Sequence, residues 1–242
     1  MFWRKSIFIL AGLLFWMELS WGQERGNYEY TSQKIWGITK ATNSGLIGGF
    51  MFKYTVQTKK ENSFQGGGIV LVNIKHPQEQ KYVSSTGNSY VWGKENYLYS
   101  IRFSYFRERV LFQKAQQQGV QVSLVGGLGP TIGLQSPYYI EIRAGNSTIK
   151  VPYDPNNPNH YWTNIIGSGN ILQGLGESKV VPGLNMKIAV AFEFGAFKSN
   201  VIGIEIGFQA DWFTQTIIIM PTTENYNFFP NAYFTFFFGS RK

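Results

Sequence analysis

Between Val201 and Trp212 the chain alternates without a break. Ile202, Ile204, Ile206, Phe208, Ala210 and Trp212 hold the even positions, and Gly203, Glu205, Gly207, Gln209 and Asp211 hold the odd ones. A period of two sends successive side chains to opposite faces of a strand, so this segment has one oily face and one small or polar face. A soluble β-sandwich or lipocalin-like barrel would turn the oily face inward and the other toward water. For a water-facing surface, however, the second face is poor in charge and rich in glycine. An oily face on lipid and a polar face on a barrel interior fits the composition better.

Seven other segments carry the same alternation. Lys34–Thr42 places Trp36 and Ile38 on one face, and Leu46–Gln57 sets Phe50, Phe52, Tyr54 and Val56 against Gly49, Met51, Lys53 and Thr55. In Gln65–Lys75, Val70, Val72 and Ile74 are expected to face out. Asn96–Arg107 puts Tyr97, Tyr99, Ile101, Phe103 and Tyr105 out, with Ser100, Arg102 and Ser104 in. Val120–Leu134 alternates as well, but Pro130 lacks the ladder donor and predicts a bulge or break. Leu184–Ala196 and Asn231–Gly239 complete a set of eight, a number that closes the smallest membrane barrels. The expected fold is therefore all-β: a transmembrane antiparallel up-and-down barrel of eight strands over residues 23–242. If the first strand starts in the periplasm, the long connections His76–Glu95, Gln135–Gly183 and Phe213–Pro230 all fall outside the cell. The tight turn Phe197–Asn200 falls inside, as such barrels require. Gln135–Gly183 has room for a further hairpin, Tyr138–Arg143 with Thr148–Tyr153, which would extend the barrel or stand above the membrane.

The N-terminus agrees with export. Arg4 and Lys5 precede an apolar run from Ile7 to Met17, and Ser20 and Gly22 form a small-x-small cleavage site. Residues 1–22 are expected to be a secretion signal, with Gln23 as the mature start. Its removal lowers the formal net charge from +8 to +7. The basic residues form no long tract of the kind nucleic acid would demand; Lys59-Lys60 and Arg107 with Arg109 are expected at turns near anionic headgroups. The chain has no cysteine, which excludes a disulfide framework and a lipid-modified cysteine anchor.

With the oily faces on lipid, Lys53, Arg102, Lys187, Glu193, Glu205 and Asp211 point inward. Eight strands leave only enough interior for side chains to fill. Charges confined there must pair. An internal network is expected, with Glu193 and Glu205 facing Arg102, Lys187 or Lys53. A carboxylate pair for acid–base catalysis is the rival use of the same residues.

Chemistry in the loops is sparse. A rim lipid hydrolase would need His76 or His160 beside Ser84, Ser85 or Asp154, but there is no G-x-S-x-G or H-E-x-x-H. Tyr153-Asp154-Pro155-Asn156-Asn157-Pro158-Asn159-His160 is oxygen-rich but lacks the spaced acidic ligands of a calcium loop, and its Asn and Pro density predicts turns. Gly126-Gly127-Leu128-Gly129 lacks the helix and lysine of a phosphate loop, and Asn146-Ser147-Thr148 is a sequon only in a glycosylating host. No metal or cofactor is implied. Tyr138, Tyr139, Tyr161 and Trp162 are the candidate partner contacts, with the lipid-interface girdle as the alternative role.

The strands around Val181-Pro182-Gly183-Leu184, Phe192-Glu193-Phe194-Gly195, Ile204-Glu205-Ile206-Gly207 and Asp211 resemble a Bacteroidetes-type family of small outer-membrane β-barrels of uncharacterised function. The chain departs from the usual aromatic ending, because Gly239-Ser240-Arg241-Lys242 follow Phe238. The expectation is an outer-membrane protein without enzymatic activity, in contact with outer-membrane lipids and with a protein partner, as a structural or accessory subunit. A small porin-like channel and an outer-leaflet lipid hydrolase are the alternatives.

Overall fold

The structure, a computed structural model, describes residues 30–60, 62–113, 119–145, 147–194 and 200–242. The expected signal segment, residues 195–196 at the end of the expected sixth strand, residues 197–199 of the expected turn and Asn146 of the sequon lie outside the described residues. In chain order the strands are β1 (Ser32–Ala41), β2 (Ser44–Gln57), β3 (Ser63–Ile74), β4 (Lys81–Val83), β5 (Ser89–Val91), β6 (Asn96–Phe112) and β7 (Gln121–Pro137). They continue as β8 (Tyr139–Ala144), β9 (Ser147–Pro152), β10 (Ile165–Ser168), β11 (Lys179–Phe194), β12 (Asn200–Ile217) and β13 (Tyr226–Arg241).

Eight of these strands form a closed antiparallel barrel in the order β1, β13, β12, β11, β7, β6, β3, β2. Closure removes every sheet edge from the wall, the condition for strands in lipid. The register fixes the stagger. From Ser32 the partners run through Val56, Gln65, Arg107, Gly126, Ile188, Phe208 and Ala232. Thr42 then bonds to Ala232, so the circuit returns to the first strand ten residues from its start. A stagger of this kind tilts the strands, and with eight strands the interior is only as wide as its side chains.

Polarity is inverted relative to a soluble core. On β12 the even residues face outward, whereas Glu205 and Asp211 are buried in the lumen. Exposed Trp36, Phe50, Phe52, Phe103, Leu128, Leu184, Ile188, Phe208 and Phe236 carry the apolar surface round the ring. Among the described residues no helix is long and apolar enough to cross a membrane. One expectation fails. Val70, Val72 and Ile74 point inward, and Ile69 and Leu71 face lipid. Ile69-Val70-Leu71-Val72 is apolar on both faces, so its period is silent. The register decides, setting Ile69 beside outward Phe52 and Phe103.

The strands also outrun their expected ends. β12 and β13 stay paired as far as Ile217 and Tyr226, which shortens their connection to residues 218–225. Arg107 and Arg109 are not in a turn but exposed on β6 near its short-turn end. Pro130 neither bulges nor breaks β7. The β6–β7 pairing lapses between Arg102–Thr131 and Tyr105–Leu128 without changing register. Asn185 covers the gap from inside: its Nδ2 faces the carbonyls of Phe103, Gly129 and Pro130 at 3.1, 3.0 and 2.9 Å, and its Oδ1 accepts from Ser104 Oγ at 2.6 Å.

The hairpin expected within 135–183 forms as β8 and β9, with Tyr139 opposite Pro152 and Arg143 opposite Thr148. It stands above the barrel, where β10 makes it a three-stranded sheet.

Large inward rings fit because glycine faces them. A Cβ at Gly133 would lie 2.6 Å from the Phe213 ring, and one at Gly127 would lie 2.6 Å from the Phe106 ring. Gly133→Val is expected to lower unfolding stability in detergent by about 1–3 kcal/mol, the range for an overpacked core. Combining it with Phe213→Leu should recover part of that loss. An unchanged denaturant midpoint for Gly133→Val would contradict this packing.

Candidate functional site

Two regions concentrate polar chemistry: the lumen and the cap above it. In the lumen, alternation aims one residue in two inward, and the tilted register stacks the charges along the axis. Nearest the short-turn end, the Arg241 guanidinium donates to Glu193 and lies over the Tyr30 ring at 3.9 Å. Further in, Lys53 Nζ donates to Glu108 Oε2 at 2.7 Å. In the middle, Lys187 Nζ donates to Glu205 Oε1 at 2.6 Å, and the Tyr233 hydroxyl donates to the same oxygen at 2.6 Å. Lys187 Nζ also sits 4.4 Å from the Phe106 ring centroid. Toward the long-loop end, Arg102 Nε donates to Asp211 Oδ1 at 2.9 Å, and Arg102 Nη2 donates to Oδ2 of the same carboxylate.

All six residues expected inside are buried in the lumen. Glu205 meets Lys187, one of its expected partners. Glu193 instead meets Arg241, Lys53 meets Glu108, and Arg102 meets Asp211. Glu108 and Arg241 were missed because both lie beyond the strand ends drawn from alternation. Together the pairs contribute four cations and four anions among the described residues, so the interior is electrically balanced.

Among the described residues, side chains and a loop fill both ends of the lumen. Tyr30, Phe64 and Val110 pack together at the short-turn end. At the other end the 218–225 connection crosses the mouth. The carbonyl of Ile219 accepts from Glu95 N, and that of Ile218 accepts from Asn96 Nδ2 and Gln135 Nε2 on the opposite wall. Between these plugs is a cavity of about 10 Å³ lined by Gln33, Lys53, Glu108, Ser123, Glu193 and Glu205 among others. That is about the room one water molecule needs.

The cap has its own core of Tyr90, Tyr138, Ile140, Ile142, Tyr153 and Ile165. Tyr138 is 1% exposed, and its hydroxyl accepts from Val91 N at 2.9 Å, so it is a core residue and not the surface contact expected of it. Burial pushes its phenol up from the ordinary tyrosine value. Tyr139 is half-buried and donates to Glu177 at 2.6 Å. Tyr161 and Trp162 are 57% and 54% exposed, with ring centroids 6.0 Å apart. Their place is set by β8: Arg143 N donates to Asn164 O near the top of that strand. Tyr138 and Arg143 are five residues apart, about 16 Å along an extended strand. Lys94, also in the cap, pairs with Glu79 at 2.8 Å over the Tyr97 ring; burial pushes its ammonium down and the carboxylate opposes that.

Both histidines bond to loop backbone. His76 Nε2 lies 2.9 Å from Glu224 O, and His76 Nδ1 accepts from Gln78 N at 3.2 Å. His160 Nδ1 accepts from Asp154 N at 2.9 Å, and its ring stacks on Tyr153. Ser84 Oγ donates to Ile166 O at 2.8 Å. In the Asn-rich loop, Asp154 Oδ1 accepts from Asn156 N, and Asn157 caps a short 3-10 turn. Among the described residues no cluster of three or more His, Asp or Glu could hold a metal.

No protein-family model and no curated protein matches the chain. Among solved structures it is similar to Ail, the attachment invasion locus protein of Yersinia pestis, in complex with the heparin analogue sucrose octasulfate: 12% identity, TM-score 0.40, 88% of this chain and 99% of that one covered. It is also similar to Neisserial surface protein A, at 12% identity and TM-score 0.38, with 88% and 97% covered.

The lumen pairs give a direct test. Glu205→Gln leaves the Lys187 ammonium without its anion and should cost about 3–5 kcal/mol of unfolding free energy, the range for one partner of a buried pair. Glu205→Gln with Lys187→Met should recover most of it, because no lone charge remains. Strictly additive losses in that double-mutant cycle would show that the two groups are not coupled.

Proposed function

We propose that this chain is an integral outer-membrane protein whose barrel is a sealed anchor and whose external cap docks a protein partner. In this role it is a structural or accessory subunit of a larger outer-membrane assembly, without enzymatic activity. An apolar exterior over a charge-paired interior, with the long loops gathered at one end, supports the outer-membrane placement. The Bacteroidetes-type affinity rests on the strand motifs alone.

The observation that carries the docking role is the pair Tyr161 and Trp162. Both rings are exposed on a folded cap, and the Trp162 carbonyl accepts from the buried Tyr90 hydroxyl at 3.3 Å. Tyr82, also exposed, lies 6.2 Å from the Tyr90 ring centroid and extends the patch. Aromatic side chains fixed by a rigid support bind at low entropic cost, and such residues dominate interface energies. A porin-like role finds no support in a lumen plugged at both ends. Hydrolysis finds none in imidazoles already bonded to backbone groups.

Purification from native outer membranes in mild detergent should return this chain in a stoichiometric complex. Tyr161→Ala with Trp162→Ala should weaken that association at least about tenfold, or ~1.4 kcal/mol, while the barrel stays folded. Undiminished co-purification would remove this patch from the account, and a lone monomeric species from wild-type membranes would refute the subunit role.

A further inference from the structure

The segment between β10 and β11 is unlike the rest of the cap. Ile171, Leu172 and Leu175 are exposed, Leu172 at 63%, although the cap has an apolar core that could have taken them. Their position explains the exposure. Gly169 N donates to Tyr139 O at 2.7 Å, which returns the chain from the top of the cap to the base of β8. A Cβ at Gly174 would lie 2.6 Å from Pro137 O, so the segment then passes tightly over the end of β7. The Tyr99 hydroxyl donates to Ile171 O at 2.6 Å. Tyr99 belongs to the outward series of β6, with Tyr97, Ile101, Phe103 and Tyr105. A backbone carbonyl held by that hydroxyl therefore lies on the outer face of the wall and not over the mouth; Tyr97, nearer the rim on the same face, packs against the cap core at Tyr138.

The wall beneath is altered to match. Tyr99 and Ile101 on β6 and Ile132 and Leu134 on β7 are half-buried, whereas Phe103 and Leu128, further down the same strands, are exposed. At the rim of β6 and β7 the segment thus offers its own apolar side chains outward.

We infer that residues 169–178 form a lip that dips into the outer leaflet, with Ile171, Leu172 and Leu175 against lipid acyl chains. This rests on the membrane-spanning reading of the barrel. Acyl chains are the occupant because the patch continues the apolar outer surface of the barrel, beside a tyrosine of the kind enriched at membrane interfaces. Apolar side chains in such a segment reach roughly 5–10 Å into the headgroup and acyl boundary. The lip ties the base of the cap to the bilayer.

The absence of native cysteine makes the test clean. Leu172→Cys, Met186→Cys and Ser85→Cys are each labelled with a nitroxide and reconstituted in vesicles of phosphatidylcholine and phosphatidylglycerol. Collision with oxygen, which concentrates in acyl chains, is compared with collision with a water-soluble nickel chelate. Met186 is exposed on the outer face of β11 and reports the barrel wall; Ser85 is exposed at the tip of the β4–β5 hairpin and reports water. The oxygen-to-chelate ratio at 172 should approach that at 186 and exceed that at 85 several-fold. Adding Tyr99→Phe should lower the ratio at 172 alone. A ratio at 172 equal to that at 85, with 186 still lipid-like, would overturn the lip and leave the barrel in the membrane. A label at 172 shielded from both reagents would also overturn it, as a protein contact. A water-like ratio at 186 would instead overturn the membrane reading itself.

Discussion

The sheet closes where β1 meets β13, from Gln33 opposite Arg241 to Ala41 opposite Tyr233, and the other features follow from that seam. In hydrocarbon an unpaired backbone N–H or C=O has no water to turn to. A sheet of these strands survives there only as a ring. Once eight strands and the ten-residue stagger are set, the lumen has a fixed bore, and the inward residues must fill it. Large rings at Phe106 and Phe213 therefore face glycines, and each inward charge has to find its opposite within that bore.

The four ion pairs answer a cost and do not supply a surplus. Burying a charge is expensive, and a pair repays that only when its geometry is good and its remaining hydrogen bonds are met. The second donor on Glu205, from Tyr233, and the two-point contact between Arg102 and Asp211 meet that condition. An apolar lumen could be as stable, yet it would make the two faces of every strand alike. Polar inward residues set which face meets lipid, since a one-residue slip would push Glu205 and Lys187 into hydrocarbon. Segment 69–72 shows what happens without them: its sequence is oily on both faces, and its neighbours alone choose its orientation.

Much of the fold was legible in the sequence for this reason. Glu205 and Asp211 at odd positions and isoleucines at even ones leave β12 a single orientation. The length of Gln135–Gly183 left room for a hairpin, and β8 and β9 form it. The site was less legible. Glu108 and Arg241 sit where strands leave the apolar belt and alternation fades, so their roles appear only once the register is known. Tyr138 looks the same in sequence as Tyr139; only the packing of β8 on Tyr90 and Tyr153 decides which of the two is buried. The lip is invisible beforehand, because an exposed Ile-Leu pair in a loop acquires meaning from Tyr99, more than seventy residues earlier in the chain.

The central claim is that the even residues of β12 lie in lipid and the odd ones in a sealed interior. Nuclear Overhauser transfer in lipid nanodiscs, with methyl-labelled Ile and Val, measures this most directly. Transfer from acyl-chain methylenes should reach Ile202, Ile204 and Ile206 and be absent at Val201 and Val125, which are buried inside. Transfer from water to the isoleucines, with lipid contact at the valines or nowhere, would contradict the account and restore a soluble barrel with an oily core.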